Sequence, residues 1–207
     1  DNTDAVCRAR IQRGYSYGYP PSVISAHVPA CPNEQTGRSV PLASRFAVAS
    51  EGLLGYECDL TKLSAGERAE IAAQIVYYRQ HRRTLQFGAH YRLEQAQNAW
   101  LTVSGDQREA VGALLQDRAG LTDSQDRFLP RGLDQERCYQ VRECRLRSSA
   151  ETPDEGIPSS GLPQTCDGQP VQASGGLLCC AGLRQQSSRF TPDYTSHMYV
   201  FAADPES

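Results

Sequence analysis

The sequence predicts two architectures in one chain: an α/β part over residues 1–94, then an all-β part of antiparallel strands over residues 95–207. Three observations carry this. Up to about residue 92, helix-like and strand-like segments alternate, the rhythm of a parallel sheet with helical crossovers. From residue 98 onward, strand-like segments follow one another with no helix between them. Turn-forming residues then gather in a single long stretch, residues 148–170, which reads as a loop insertion in the β part.

The first element is a helix over residues 4–17, DAVCRARIQRGYSY, with Val6, Ile11 and Ala5 or Ala9 at helical spacing and Gly18, Pro20 and Pro21 closing it. SVISAHV (22–28) is short, apolar and rich in β-branched residues, as a buried strand would be. Two prolines, Asn33 and Gly37 mark 29–38 as a loop. A helix is expected over residues 42–50 and a strand over LLGYECDL (53–60). Ser64 and Glu67 form a capping box, and the helix behind it turns Ile71, Ile75 and Tyr78 to one face before closing on His81, Arg82 and Arg83.

In the second part, NAWLTVSGDQREAVGALLQ (98–116) reads as two strands around a Ser-Gly-Asp-Gln turn. Further strands are expected at RCYQVRECRL (137–146), GLLCCAGL (176–183) and TSHMYVFAA (195–203).

Composition narrows the function classes. The chain is 39% hydrophobic and 22% charged with a formal net charge of −3, so no basic excess suits nucleic acid or an anionic membrane. No apolar run approaches the ~18 residues of a membrane-spanning helix. Eight cysteines in 207 residues fall short of the roughly twofold higher density of small disulfide scaffolds. None stands in a CxxC pair, and Cys179 and Cys180 are neighbours. They read as reduced thiols acting as small hydrophobes, which suits a cytoplasmic location.

Several residues could carry chemistry. Gly14-Tyr-Ser16-Tyr-Gly18 matches G-x-S-x-G, but a serine-hydrolase elbow needs a buried strand before it and a helix after it. Here a charged helical segment precedes Ser16 and two prolines follow, so it reads as a helix-ending turn. His27, Cys31 and Glu34 could be drawn as metal ligands, yet a lone His in an apolar strand reads first as a core histidine bonded to nearby backbone. Asp1-Asn-Thr-Asp4 stands apart. At a strand-to-helix boundary it puts carboxylates at the C-terminal rim of a parallel sheet, where catalytic groups sit in barrels. Helix capping by Thr3 or Asp4 is the other reading of the same spacing.

These motifs together resemble the α-galactosidases of glycoside hydrolase family 36. The resemblance rests on DNTDAVCRARIQRGYSYGYP, on SAHVPACPNEQTGRSVPLASRFAVASEGLLGYECDL, on LQFGAHYRL (85–93) and on NAWLTVSGD (98–106). GLLCCAGL and DYTSHMYVFAA match more weakly, and 148–170 is unmatched. The chain departs from the family at Ser25-Ala26-His27, where the family has Gly-Ala-His. It departs again at Pro29 and at Glu34, which replace Ser and His; the added bulk and rigidity near the rim bear on substrate specificity.

The resemblance implies that residues 1–94 are the last part of a (β/α)8 TIM barrel, from the end of its sixth strand through its eighth helix. SVISAHV would be the seventh strand and LLGYECDL the eighth, with an antiparallel β-sandwich domain closing the chain. It implies a retaining α-galactosidase acting on melibiose and raffinose-type sugars, with no cofactor and no metal, homo-oligomeric at full length.

By the same resemblance Asp1 is the general acid/base, in contact with substrate, Asn2 and Thr3 orient it, and Asp4 caps the helix. Such an enzyme needs a second carboxylate as nucleophile. The resemblance puts it on an earlier strand, so the 207 residues are expected to be an inactive fragment by themselves. A free Asp titrates near ~3.9, so the intact site must raise the pKa of Asp1 by burial and by the neighbouring nucleophile. Alternatives are a relative that transfers galactose or removes N-acetylgalactosamine, and a sugar-binding or assembly module on residues 95–207. The module would use Trp100, Tyr139 and Tyr199 as a platform, against core packing as the other role of these rings.

Overall fold

The first helix, α1 (Ala5–Tyr15), starts where the Asp4 side chain accepts the Cys7 amide and ends at Ser16, so the G-x-S-x-G segment is a helix-ending turn. In the computed structural model, residues 2–94, 98–118, 127–144, 170–184 and 193–205 are described. Except for Pro170, the 148–170 insertion lies outside them, as do Cys166 and Asp1. After a single 3-10 turn at Pro21–Val23 comes strand β1 (Ser25–Pro29), shorter than the run 22–28 suggested because Pro20 and Pro21 coil its first half. Helix α2 (Leu42–Ala49) and strand β2 (Leu53–Glu57) follow, and β2 lies parallel to β1 with His27 opposite Gly55.

Helix α3 (Ala65–Phe87) opens on the capping box of Ser64 and Glu67. It runs one turn past the expected end. The extension is tertiary in origin: His81, Thr84 and Leu85 are buried, and Glu109 accepts bonds from the first two (His81 Nδ1 at 2.7 Å). Ile75, expected on the buried face, is 40% exposed, and the buried polar Gln74 takes the inner position beside Ile71 and Tyr78.

The remaining strands are β3 (Ala89–Leu93), β4 (Ala99–Val103), β5 (Glu109–Gln116), β6 (Arg127–Phe128), β7 (Cys138–Glu143), β8 (Val171–Ser174), β9 (Leu183–Arg184) and β10 (Thr195–Ala203). Six of them form one antiparallel sheet in the order β3-β4-β5-β10-β7-β8, and β6 pairs with β9 in a separate ribbon. The sheet takes its first strand from residues 89–93, N-terminal to the division expected at 94/95.

GLLCCAGL is not a strand. Residues Gly175–Ala181 form a short helix, α4, because the Ser174 hydroxyl accepts the Leu177 amide and Gly182, at φ +69°, ends it. An eight-residue apolar run has no period that separates helix from strand, so the caps decide.

Both faces of the sheet are covered. Trp100, Val111, Ala113, Met198 and Val200 share one cluster with Phe46 of α2, Tyr77 and Tyr78 of α3, and Ala26 and Val28 of β1. Leu101, Val103, Tyr139, Tyr199 and Phe201 point the other way, into a second cluster with Phe128 and Leu178. One core therefore joins the α/β part to the sheet. Among the described residues all seven cysteines are free thiols, and burial pushes the Cys144 thiol far above its ordinary range. No described helix is long and apolar enough to cross a membrane.

Candidate active-site rim

The site builds from the two ends of β1. At its start, the Arg8 guanidinium of α1 donates to the Ser25 carbonyl; at its end, Arg45 of α2, itself buried, donates to the carbonyls of Pro29 and Val40. The chain that leaves the C-terminal end of β1 folds into a tight loop. In it the Asn33 amide donates to the Arg38 carbonyl at 2.9 Å, and Gly37, at φ +68°, donates to the Asn33 carbonyl at 2.8 Å. The Asn33 side-chain oxygen accepts the amides of Gln35 and Thr36 at 3.0 and 3.1 Å, an Asx turn.

This loop closes on residues 2–4. The Gln35 side-chain oxygen accepts the Thr3 amide at 2.9 Å, and the Asn33 side-chain amide donates to the Thr3 hydroxyl at 2.9 Å. Asp4 Oδ2 accepts the Thr36 hydroxyl at 2.8 Å, while Oδ1 accepts the Cys7 amide at 3.0 Å and pairs with Arg38. The Asp4 amide donates to Asn2 Oδ1 at 2.8 Å. Asp4 is fully buried. That burial alone would raise its carboxyl, but the Cys7 amide, the Thr36 hydroxyl and the Arg38 guanidinium outweigh it and hold the group below its ordinary value. Asp4 is thus an ionised cap and the centre of a knot, not a proton donor.

Asp1, the predicted acid/base and substrate contact, lies outside the described residues; its successors Asn2 and Thr3 stand in the knot. Ser16 donates to the Arg13 carbonyl and accepts from Arg92, with no nucleophile geometry. His27 is not a core histidine. The alternation of β1 buries Ala26 and Val28 and leaves the His27 side chain 44% exposed, lying over Gly55, where a Cβ would run into the ring. Its Nε2 is 3.4 Å from the Ser25 hydroxyl and its Nδ1 3.9 Å from the Glu57 carboxylate. His27, Cys31 and Glu34 do not assemble as ligands: no group of three or more His, Cys, Asp or Glu suited to a metal occurs among the described residues. Trp100, Tyr139 and Tyr199 are 6%, 0% and 4% exposed, so they pack the core and offer no platform.

Sequence reasoning missed Asn33, Gln35, Thr36 and Arg38 as a unit. Its signal was present: a glycine-closed loop whose side chains are nearly all hydrogen-bonding. Their partners, however, lie some thirty residues away, beyond any local pattern.

Comparison with known proteins bears on the whole chain. The profile of the melibiase family matches residues 1–88, and that of the glycosyl hydrolase family 36 C-terminal domain matches residues 97–201. The chain is 41% identical over 145 residues to α-galactosidase AgaA of Geobacillus stearothermophilus, covering 68% of this chain and 20% of that one. It is 49% identical over 115 residues to α-galactosidase 1 of Pediococcus pentosaceus, covering 54% and 16%. The crystal structure of AgaA superposes with a TM-score of 0.81 at 33% identity, over 99% of this chain and 25% of that chain; variants of AgaA were crystallised with raffinose and with stachyose. The galactosidase domain of AgaSK gives a TM-score of 0.80 at 30% identity, with the same shares. The chain thus spans a quarter of those crystallised chains and a fifth or less of the two curated relatives. With both of its parts matched in order, the chain belongs to glycoside hydrolase family 36.

Proposed function

We propose that these residues are the end of the (β/α)8 barrel and the closing β domain of a retaining α-galactosidase that removes terminal α-linked galactose from melibiose and raffinose-type sugars. The observation that carries the reading is the knot beyond the C-terminal end of β1, which holds residues 2–4 next to Asp1. Catalytic groups of barrels stand at that end of the strands. In support, relatives named as α-galactosidases match both parts, and AgaA variants were crystallised with raffinose and stachyose.

In this reading Asp1 protonates the leaving glycosidic oxygen while a second carboxylate, on an earlier strand of the barrel, attacks the anomeric carbon. Asp1 then deprotonates the water that releases galactose, so the α configuration is retained. Asn2 and Thr3, the next two residues of the chain, would orient Asp1 in this reading. The 207 residues contribute one carboxylate of the pair and are expected to show no hydrolysis by themselves. Burial of Trp100, Tyr139 and Tyr199 removes the feature that favoured a sugar-binding module.

The test is Asp1→Ala in the complete enzyme. The kcat/KM for raffinose, with its poor sugar leaving group, falls far more than that for 4-nitrophenyl α-galactoside, because only the first bond-breaking step depends on the leaving group. Equal losses of kcat/KM on the two substrates would sink the acid/base assignment, and galactose first released as the β anomer would sink retention.

A further inference from the structure

We infer that Asn33 and Thr36 are positioning residues for the acid/base step, acting on Asp1 through the two residues that follow it. The inference rests on the family reading above and adds residues to it. Asn33 is 5% exposed and spends both ends of its amide: the oxygen folds its own loop, and the nitrogen reaches across to the Thr3 hydroxyl. Thr36 donates to Asp4 Oδ2 while its amide is held by Asn33. Gln35 takes the Thr3 backbone amide. Residues 3 and 4 are therefore gripped at backbone and side chain by one preformed loop, and the Asp4 amide ties Asn2 to the same grip.

Helix capping alone does not call for this. Asp4 already caps α1 through the Cys7 amide, and Arg38 already neutralises it. The bonds from Asn33 and Gln35 to Thr3 lie outside the helix and do nothing for its first turn. They lock the backbone one residue from Asn2, and Asn2 is joined to Asp1 by one peptide bond. General acid catalysis demands such a lock, because the carboxyl must meet the leaving oxygen within hydrogen-bond reach. A displacement of about 1 Å costs on the order of 100-fold.

The experiment uses the complete enzyme with Thr36→Val, Thr36→Ser and Asn33→Ala, assayed on raffinose and on 4-nitrophenyl α-galactoside. Thr36→Val and Asn33→Ala are expected to lower kcat/KM for raffinose by about 10- to 100-fold. The kcat/KM for the nitrophenyl substrate should change little, and the alkaline limb of the raffinose pH profile should move. Thr36→Ser, which restores the hydroxyl, recovers most of the rate.

Equal losses of kcat/KM on both substrates, an unchanged kcat/KM for raffinose, or a serine variant as slow as the valine would each overturn the inference. Should Asn33→Ala fail to fold, the Thr36 pair decides alone. Asp1→Ala in parallel separates the two levels. A leaving-group split in Asp1→Ala without one in the Thr36 and Asn33 variants removes only the positioning role. No split in Asp1→Ala removes the acid/base reading and this inference with it.

Discussion

The six-stranded antiparallel sheet and the parallel pair β1-β2 are held in different proportions by apolar burial and by polar contacts. In the six-stranded sheet β4 is buried at all five positions and β5 at six of eight, and neighbouring residues feed opposite clusters: Trp100 and Val200 on one side, Leu101 and Phe201 on the other. In the parallel pair, β1 alternates exposed and buried over its first four residues and β2 has no fully buried residue. One face of the parallel pair joins the apolar core through Ala26 and Val28, but its ends and the loop beyond it are fixed by polar groups: Arg8 and Arg45 on the ends of β1, Asn33, Thr36 and Arg38 on residues 3 and 4. Apolar burial is non-directional and tolerant, so it serves the scaffold. Hydrogen bonds fix angles and distances, so they serve the rim.

The contrast can be broken hardest in the sheet. Phe201→Ala removes a fully buried ring from β10, between β5 and β7, and is expected to cost about 3–5 kcal/mol. A thermal melt measures this, and in the complete enzyme the ratio of kcat/KM between raffinose and 4-nitrophenyl α-galactoside should stay unchanged. A changed ratio would mean that the sheet also sets rim geometry.

Acid sharpens the comparison next. Asp4 and Glu109 both titrate below their ordinary values when folded. For Glu109, burial pushes upward but the bonds from His81 and Thr84 prevail. Depressed carboxyl values give stability that is fully present above the unfolded values, 3.8 and 4.5 respectively, and lost as pH falls through the lower folded ones. Melting temperature should therefore drop steeply below about pH 4. Asp4→Asn should flatten part of that drop while lowering stability at neutral pH. An acid limb unaltered in Asp4→Asn would show that the Asp4 carboxylate, with its Cys7, Thr36 and Arg38 partners, contributes nothing to the loss of stability in acid.

The smallest effect is expected at Ser64, whose hydroxyl accepts the Glu67 amide at 3.2 Å. Ser64→Ala should cost about 1 kcal/mol and leave both assays untouched, since the cap lies at the far end of α3 from the sheet.

Local physics made much of this legible. The strands at 99–103, 109–116 and 195–203 are long, apolar and bounded by turn residues, and their ends fall close to where the pattern puts them. The Ser64 capping box is likewise complete within four residues. Where local signals ran out, the reading failed for identifiable reasons. An apolar run at 176–183 carried no period, so α4 depended on Ser174 and Gly182. The end of α3 depended on His81 meeting Glu109, 28 residues on.

By itself, then, the sequence determined the order of most elements, the core role open to its aromatic residues and, through the resemblance of its motifs, the family. Those properties are written in neighbouring residues or in ordered motifs. Tertiary structure alone decided that Asn33, Gln35, Thr36 and Arg38 close on Thr3 and Asp4, that His27 faces outward over Gly55, and that Asp4 is a buried anion. Each depends on groups distant in the chain meeting at hydrogen-bond range, and that proximity exists only once the apolar core has brought β1, β2 and their helices together.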